Sequence, residues 1–165
     1  MVEYMVFSNA NYGGLYDTSI STDRLLINVR EAVCDFINGR SWAEVLIGPN
    51  MTTLTFALAW TVSRRIKPGD KVVVSRLGHG GNIDAWRALA HYGAEVEFME
   101  LVAKDCTLDY AQARRAITPG TKIVSLEYAS NATGTVHDVG KLAELAHAAG
   151  AWLFVDAVHM APHLP

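Results

Sequence analysis

A chain of 165 residues, half of them hydrophobic and 19% charged, has the composition of a globular protein and the length of one domain with room for a sizeable core. Its formal net charge of −3, with no basic run on any segment, argues against nucleic acid as a partner. Cys34 and Cys106 form no CxxC pair and "LTFALAWTV" runs into Ser63, Arg64 and Arg65 well short of a bilayer span, so the expectation is a soluble, cytoplasmic chain with no leader and no membrane partner.

The elements alternate between two periods. The first strand is "EVLI", 44 to 47, and "GPNMTT" then opens a helix near Thr52. That helix ends in "KPGDK", 67 to 71, because Pro68 and Gly69 cannot continue it, and the turn launches the second strand, "KVVVS", 71 to 75. "SRLGHGGN" leads into a helix from about Asn82 to Tyr92, with Ile83, Trp86, Leu89 and Ala90 inward and Gly93 as its stop. The third and fourth strands are "EVEFM", 95 to 99, and "KIVSL", 122 to 126. Asp138 caps a helix that places Val139, Leu142, Ala146 and Ala149 on one face, Gly150 stops it, and "AWLFV", 151 to 155, is the last strand. Strands this continuously apolar, each separated by a helix, predict an α/β fold: three αβα layers around a mostly parallel sheet, with every strand's carboxyl end on one side. Ligands of such sheets bind at that edge.

Four loops at the predicted edge carry candidate chemistry. Thr52 and Thr53 stand at a helix N-terminus, where free N–H groups and hydroxyls suit a phosphate; plain N-capping by threonine uses the same residues. His79, between glycines, offers a flat imidazole to a planar ligand or a local hydrogen bond to its own loop. Asn131 in "EYASNATGT" is an amide donor, or with Gly134 a turn former. Asp156 ends a buried strand, where a carboxylate needs a cationic ligand group, an internal Arg or Lys, or a proton. A phosphate, a ring, a phenolic oxygen and a pyridinium nitrogen are what pyridoxal 5'-phosphate presents to such a set. A metal site on "HMAPH" (His159, His163) is disfavoured, since Pro162 interrupts a regular helix and no carboxylate follows at zinc spacing.

The stretches "FINGRSWAEVLIGPNMTT", "KPGDKVVVSRLGHGGNIDAW", "YGAEVEFM", "DCTLD", "TKIVSLEYASNATGTVHDV", "LAHAAGA" and "VDAVHMAPH" resemble, in order and spacing, the class V aminotransferase and cysteine desulfurase group of fold-type I pyridoxal-phosphate enzymes. The resemblance runs from about Asn9 to Pro165. It implies a PLP-transferase, aspartate aminotransferase-like large domain in which Thr52 and Thr53 bind the cofactor phosphate and His79 stacks on the ring. It also implies that Asn131 lies near the phenolic oxygen and that Asp156 pairs with the pyridine nitrogen. His159 stands where many relatives have glutamine, directed toward the phenolic oxygen.

The resemblance further implies an amino-acid substrate held through an aldimine, and a homodimer. It carries one departure. Family members have a lysine roughly two dozen residues beyond the aspartate that forms the Schiff base; this sequence ends nine residues beyond Asp156. Lys67, Lys71, Lys104, Lys122 and Lys141 do not match that lysine, and neither Cys34 nor Cys106 matches a desulfurase's catalytic cysteine. The expectation is a partial cofactor-binding large domain over 1–165, without the small domain, with no catalytic residue of its own and inactive alone. The contrasting expectation is a noncatalytic binding or assembly module that retains the scaffold.

Overall fold

The computed structural model describes residues 1–163; the last two residues of "VDAVHMAPHLP" lie outside the described residues. The described residues divide into two compact units, 1–47 and 48–163.

The first unit is built on helix α1, Asp17–Phe36, preceded by a π-helical turn, Tyr4–Ser8, and followed by a 3-10 turn, Trp42–Glu44. The buried Ser19 hydroxyl ties the approach to α1, donating to Asn11 O at 2.5 Å and accepting from Gly14 N at 2.6 Å. Val45 to Ile47 form no strand, which corrects the expected first strand. Leu46 is 76% exposed and Val45 alone of the run is buried. A short apolar run becomes a strand only if neighbouring strands pair with its N–H and C=O groups, and here none does.

The second unit carries α2 (Met51–Ser63), β1 (Lys71–Ser75), α3 (Gly80–Arg87) with a 3-10 continuation to Tyr92, and β2 (Glu95–Met99). A small antiparallel ladder of β3 (Leu101–Val102) and β4 (Thr107–Leu108) leads to α4 (Tyr110–Ala116). β5 (Thr121–Glu127), α5 (Val139–Ala148) and β6 (Trp152–Asp156) complete it. The four long strands form one parallel sheet in the order β2-β1-β5-β6. Period-2 alternation divides their side chains between two cores. Val72, Val74 and Ile123 pack with Ala59, Val62, Ala85, Trp86 and Leu89 from α2 and α3. Val73, Val124 and Leu126 pack with Ala113, Ala116, Leu142 and Ala146 from α4 and α5. The result is the expected three-layer αβα arrangement.

The helices start and stop for local reasons. Asp138 Oδ1 accepts from Lys141 N at 3.0 Å, and Gly150, at φ +75°, ends α5. The predicted helix over 82–92 begins earlier, at Gly80, and tightens to three residues per turn after Arg87. That tightening rotates Ala90 outward, so it is exposed while Trp86 and Leu89 stay buried.

Candidate functional site

β1, β5 and β6 end together, and their following loops form one edge of the sheet with the N-terminus of α2. A cavity of about 260 Å³ opens there, lined by Asn50, Met51, Thr52, His79, Asp156 and His159, with Val158 at its side. A second cavity adjoins it through His159, of about 450 Å³, to which Asn131 and Ser130 contribute. The sequence candidates Thr52, His79, Asp156 and His159 thus share one cavity; Asn131 lines the neighbouring one, and Thr53 lines neither.

Each position has a local cause. The cap of α2 is Asn50, whose Oδ1 accepts from Thr53 N at 2.8 Å, so the threonine hydroxyls are not the cap. Neither hydroxyl has a hydrogen-bond partner among the described residues. Thr52 Oγ1 lies where a β-carbon on Gly81 would be, so only glycine permits this approach of α2 to α3. His79 is itself the cap of α3: its Nδ1 accepts from Gly81 N at 3.0 Å. Accepting at Nδ1 fixes the neutral ring as the Nε2–H tautomer and sets the plane of an otherwise exposed imidazole.

Asp156 is 6% exposed. Its Oδ1 accepts from Val158 N at 3.1 Å, and among the described residues no Lys or Arg pairs with it. The internal ion pair that sequence allowed is therefore not formed. Asn131 sits exposed at the tip of a hairpin closed by the Ala129–Val136 bridge, in which Ser130 Oγ accepts from Ala132 N and Thr133 N, both at 3.3 Å. Gly134, at φ +70°, completes that turn.

One group at this edge is not among the sequence candidates. Glu127 ends β5 in register with Asp156 and is 3% exposed. It carries the signal that singled out Asp156, a carboxylate closing a buried strand, but stands at the start of a stretch that reads as loop.

Residues 1–165 match the family model for aminotransferase class-V. This chain belongs to the aminotransferase class-V family. The class-V chain is 31% identical over 162 residues to a probable cysteine desulfurase of Halobacterium salinarum, an alignment covering 96% of this chain and 39% of that protein. It is also similar to the apo structure of a cysteine desulfurase from Thermococcus onnurineus, with 30% identity and a TM-score of 0.90 over 98% of this chain and 40% of that one. A C-DES mutant with glycine covalently linked to its PLP cofactor shares the fold, with a TM-score of 0.76 at 22% identity over 93% of this chain and 41% of that one. The class-V chain therefore spans about two fifths of the length of these relatives. Pyridoxal phosphate is the cofactor of this family.

Proposed function

We propose that this chain is the cofactor-binding portion of a cysteine desulfurase-like class V enzyme, and that pyridoxal phosphate binds at the carboxyl edge of its sheet. The observation that carries the reading is Asp156: a buried carboxylate facing a cavity, with no protein cation beside it among the described residues. Burying an unpaired carboxylate costs several kcal/mol, and a pyridinium nitrogen is the cationic hydrogen-bond donor that offsets it. The remaining donors suit the rest of the cofactor. Free N–H groups in the first turn of α2 and the Thr52 hydroxyl suit a phosphate, while Thr53, which lines neither cavity, is left without a contact to it. His79, held in plane by Gly81 N, offers its face to the ring, while His159 and Asn131 stand toward the phenolic side.

Bound there, pyridoxal phosphate would supply an electron sink to an amino-acid substrate. Asp156 keeps the ring nitrogen protonated, which is what makes that sink effective. Residues of α2 and β6, with His79 at the start of α3, wall the cavity. In this reading residues 48–163 bind and orient the cofactor, and none of Lys67, Lys71, Lys104, Lys122 and Lys141 is assigned the Schiff base. Removal of sulfur from cysteine is the reaction best supported, by the names of the relatives. A cytoplasmic homodimer completes the reading; it is supported by the exposed stripe Leu25, Val29, Val33 and Phe36 on α1, and among the described residues no helix is long and apolar enough to cross a membrane.

The test is titration with pyridoxine 5'-phosphate, whose alcohol in place of the aldehyde prevents adventitious Schiff bases with surface lysines. Saturable binding that is lost in Asp156→Ala is expected; binding that ignores this substitution sinks the assignment. Pyridoxal phosphate followed by borohydride is expected to leave no stoichiometric lysine adduct.

A further inference from the structure

The carboxylate of Glu127 lies beneath the candidate site at the junction of three loops. Its Oε1 accepts from Ser75 Oγ at 3.0 Å and meets His137 Nε2 at 2.8 Å. Both partners are buried, at 1% and 3% exposure. Ser75 Oγ in turn accepts from Leu77 N at 3.2 Å, in the loop that presents His79. His137 N donates to Tyr128 O at 2.9 Å and closes the hairpin that presents Asn131. Tyr128 N donates to Asp156 O at 2.8 Å, locking the end of β5 to the end of β6. One carboxylate thus joins the supports of His79, Asn131 and Asp156.

Its second oxygen, Oε2, is buried without a hydrogen-bond partner. A β-carbon on Gly78 would stand 3.1 Å from it, so the residue preceding His79 packs directly against the carboxylate. An unsatisfied buried oxygen costs about 1–3 kcal/mol or more, and a side chain of similar size without charge would avoid that cost. Local rules broken without a gain in stability are found at functional sites, where geometry is worth more than stability.

We propose, resting on the cofactor reading given above, that Glu127 is a positioning residue: through Ser75 and Gly78 it fixes the His79 loop, and through His137 the Asn131 hairpin, relative to Asp156. It does not touch the ligand. It sets the distance between the stacking imidazole and the carboxylate that receives the ring nitrogen.

The experiment combines two readouts on the same variants. Amide exchange by NMR, without ligand, reports the network itself: Glu127→Ala is expected to speed exchange at Leu77 and His137 by about tenfold or more, leaving Leu142 and Ala146 in α5 unchanged. Binding of pyridoxine 5'-phosphate reports its use: Glu127→Ala is expected to weaken affinity by about tenfold and to alter the circular dichroism induced in the bound ring. Glu127→Gln, which keeps an acceptor for Ser75, is expected to restore affinity to within about threefold of the wild type. Should Glu127→Ala not fold, Ser75→Ala and Glu127→Gln are measured in its place, with Ser75→Ala expected to reproduce both the faster Leu77 exchange and the weaker binding.

If the wild type binds and a folded Glu127→Ala binds equally well with an unchanged ring signal, the positioning role is overturned while the cofactor reading stands. A wild type that does not bind overturns the cofactor reading, and amide exchange alone then decides whether Glu127 orders the loops. Unchanged exchange at Leu77 in every variant overturns the role in either case.

Discussion

The two ends of the same parallel sheet handle charge in opposite ways. At the amino ends, Lys71 Nζ meets Glu97 Oε2 at 2.9 Å and Lys122 lies 3.7 Å from Asp70, in pairs still reached by solvent. At the carboxyl ends, Glu127 and Asp156 are buried side by side, with His137 as the only ionisable side chain bonded to either among the described residues. Solvated pairs are worth about 0–1 kcal/mol, and water compensates for whatever they lack. Buried carboxylates have no such reserve, so each must be compensated by the fold or by something it binds. On the proposed reading, binding belongs to the end where compensation within the chain is incomplete.

The largest effect expected from breaking this contrast is at Asp156. Asp156→Asn keeps the acceptor for Val158 N but removes the charge, and pyridoxine 5'-phosphate affinity should fall by about 10- to 100-fold while the melting temperature holds or rises. An unchanged dissociation constant, with a lowered melting temperature, would make Asp156 a stability residue and erase the difference between the two ends. Next come two glycines in successive positions of α3. Gly81→Ala drives a β-carbon into Thr52 Oγ1 and should destabilise by about 1–3 kcal/mol in urea unfolding. Gly80→Ala, whose nearest neighbour would be Asp84 Oδ2 at 3.8 Å, should instead stabilise by up to about 1 kcal/mol.

Smaller changes belong to the amino ends. Lys71→Met and Lys122→Met should each shift stability by no more than about 1 kcal/mol and leave ligand affinity unaltered; a loss of affinity in either would show that the two ends are coupled. The smallest expected effect is a pH dependence. Arg76 donates two hydrogen bonds of 2.6 Å to Glu100, and these hold the Glu100 carboxyl below the usual carboxylate range. The stability from this exposed pair is complete above the ordinary glutamate pKa and is lost as pH falls through the lowered, folded-state value. Glu100→Gln should therefore flatten slightly the acid limb of a denaturation series run from about pH 5 to pH 3.

Much of this was legible in the sequence, and the parts that were not have physical reasons. "KVVVS", "EVEFM", "KIVSL" and "AWLFV" read as strands because a sheet covered on both faces needs apolar residues at nearly every position. "EVLI" has the same composition, but composition does not reveal whether a neighbour is present to pair with it. Asp156 was legible because a carboxylate after an apolar run is out of place. Glu127 is out of place in the same way, yet the apolar run before it ends at Leu126 and the residues after it have the composition of a loop. Thr52 and Thr53 looked like a pair in the sequence, but successive residues on a helix point about 100° apart, so only Thr52 reaches the cavity. The role of Asn50 as the cap of α2 was hidden by Thr52 and Thr53, two residues that cap helices as readily and stand within three positions of it.

The bond from Ser75 to Glu127 joins residues 52 positions apart, across the central pairing of β1 with β5. No hairpin or single helix can form that contact early, because the chain between them must first be gathered at an entropic cost that grows with its length. We expect the carboxyl edge to assemble together with the pairing of β1 and β5 rather than before it. A small molecule lodged there would lengthen the lifetime of the native state far more than it would hasten its formation.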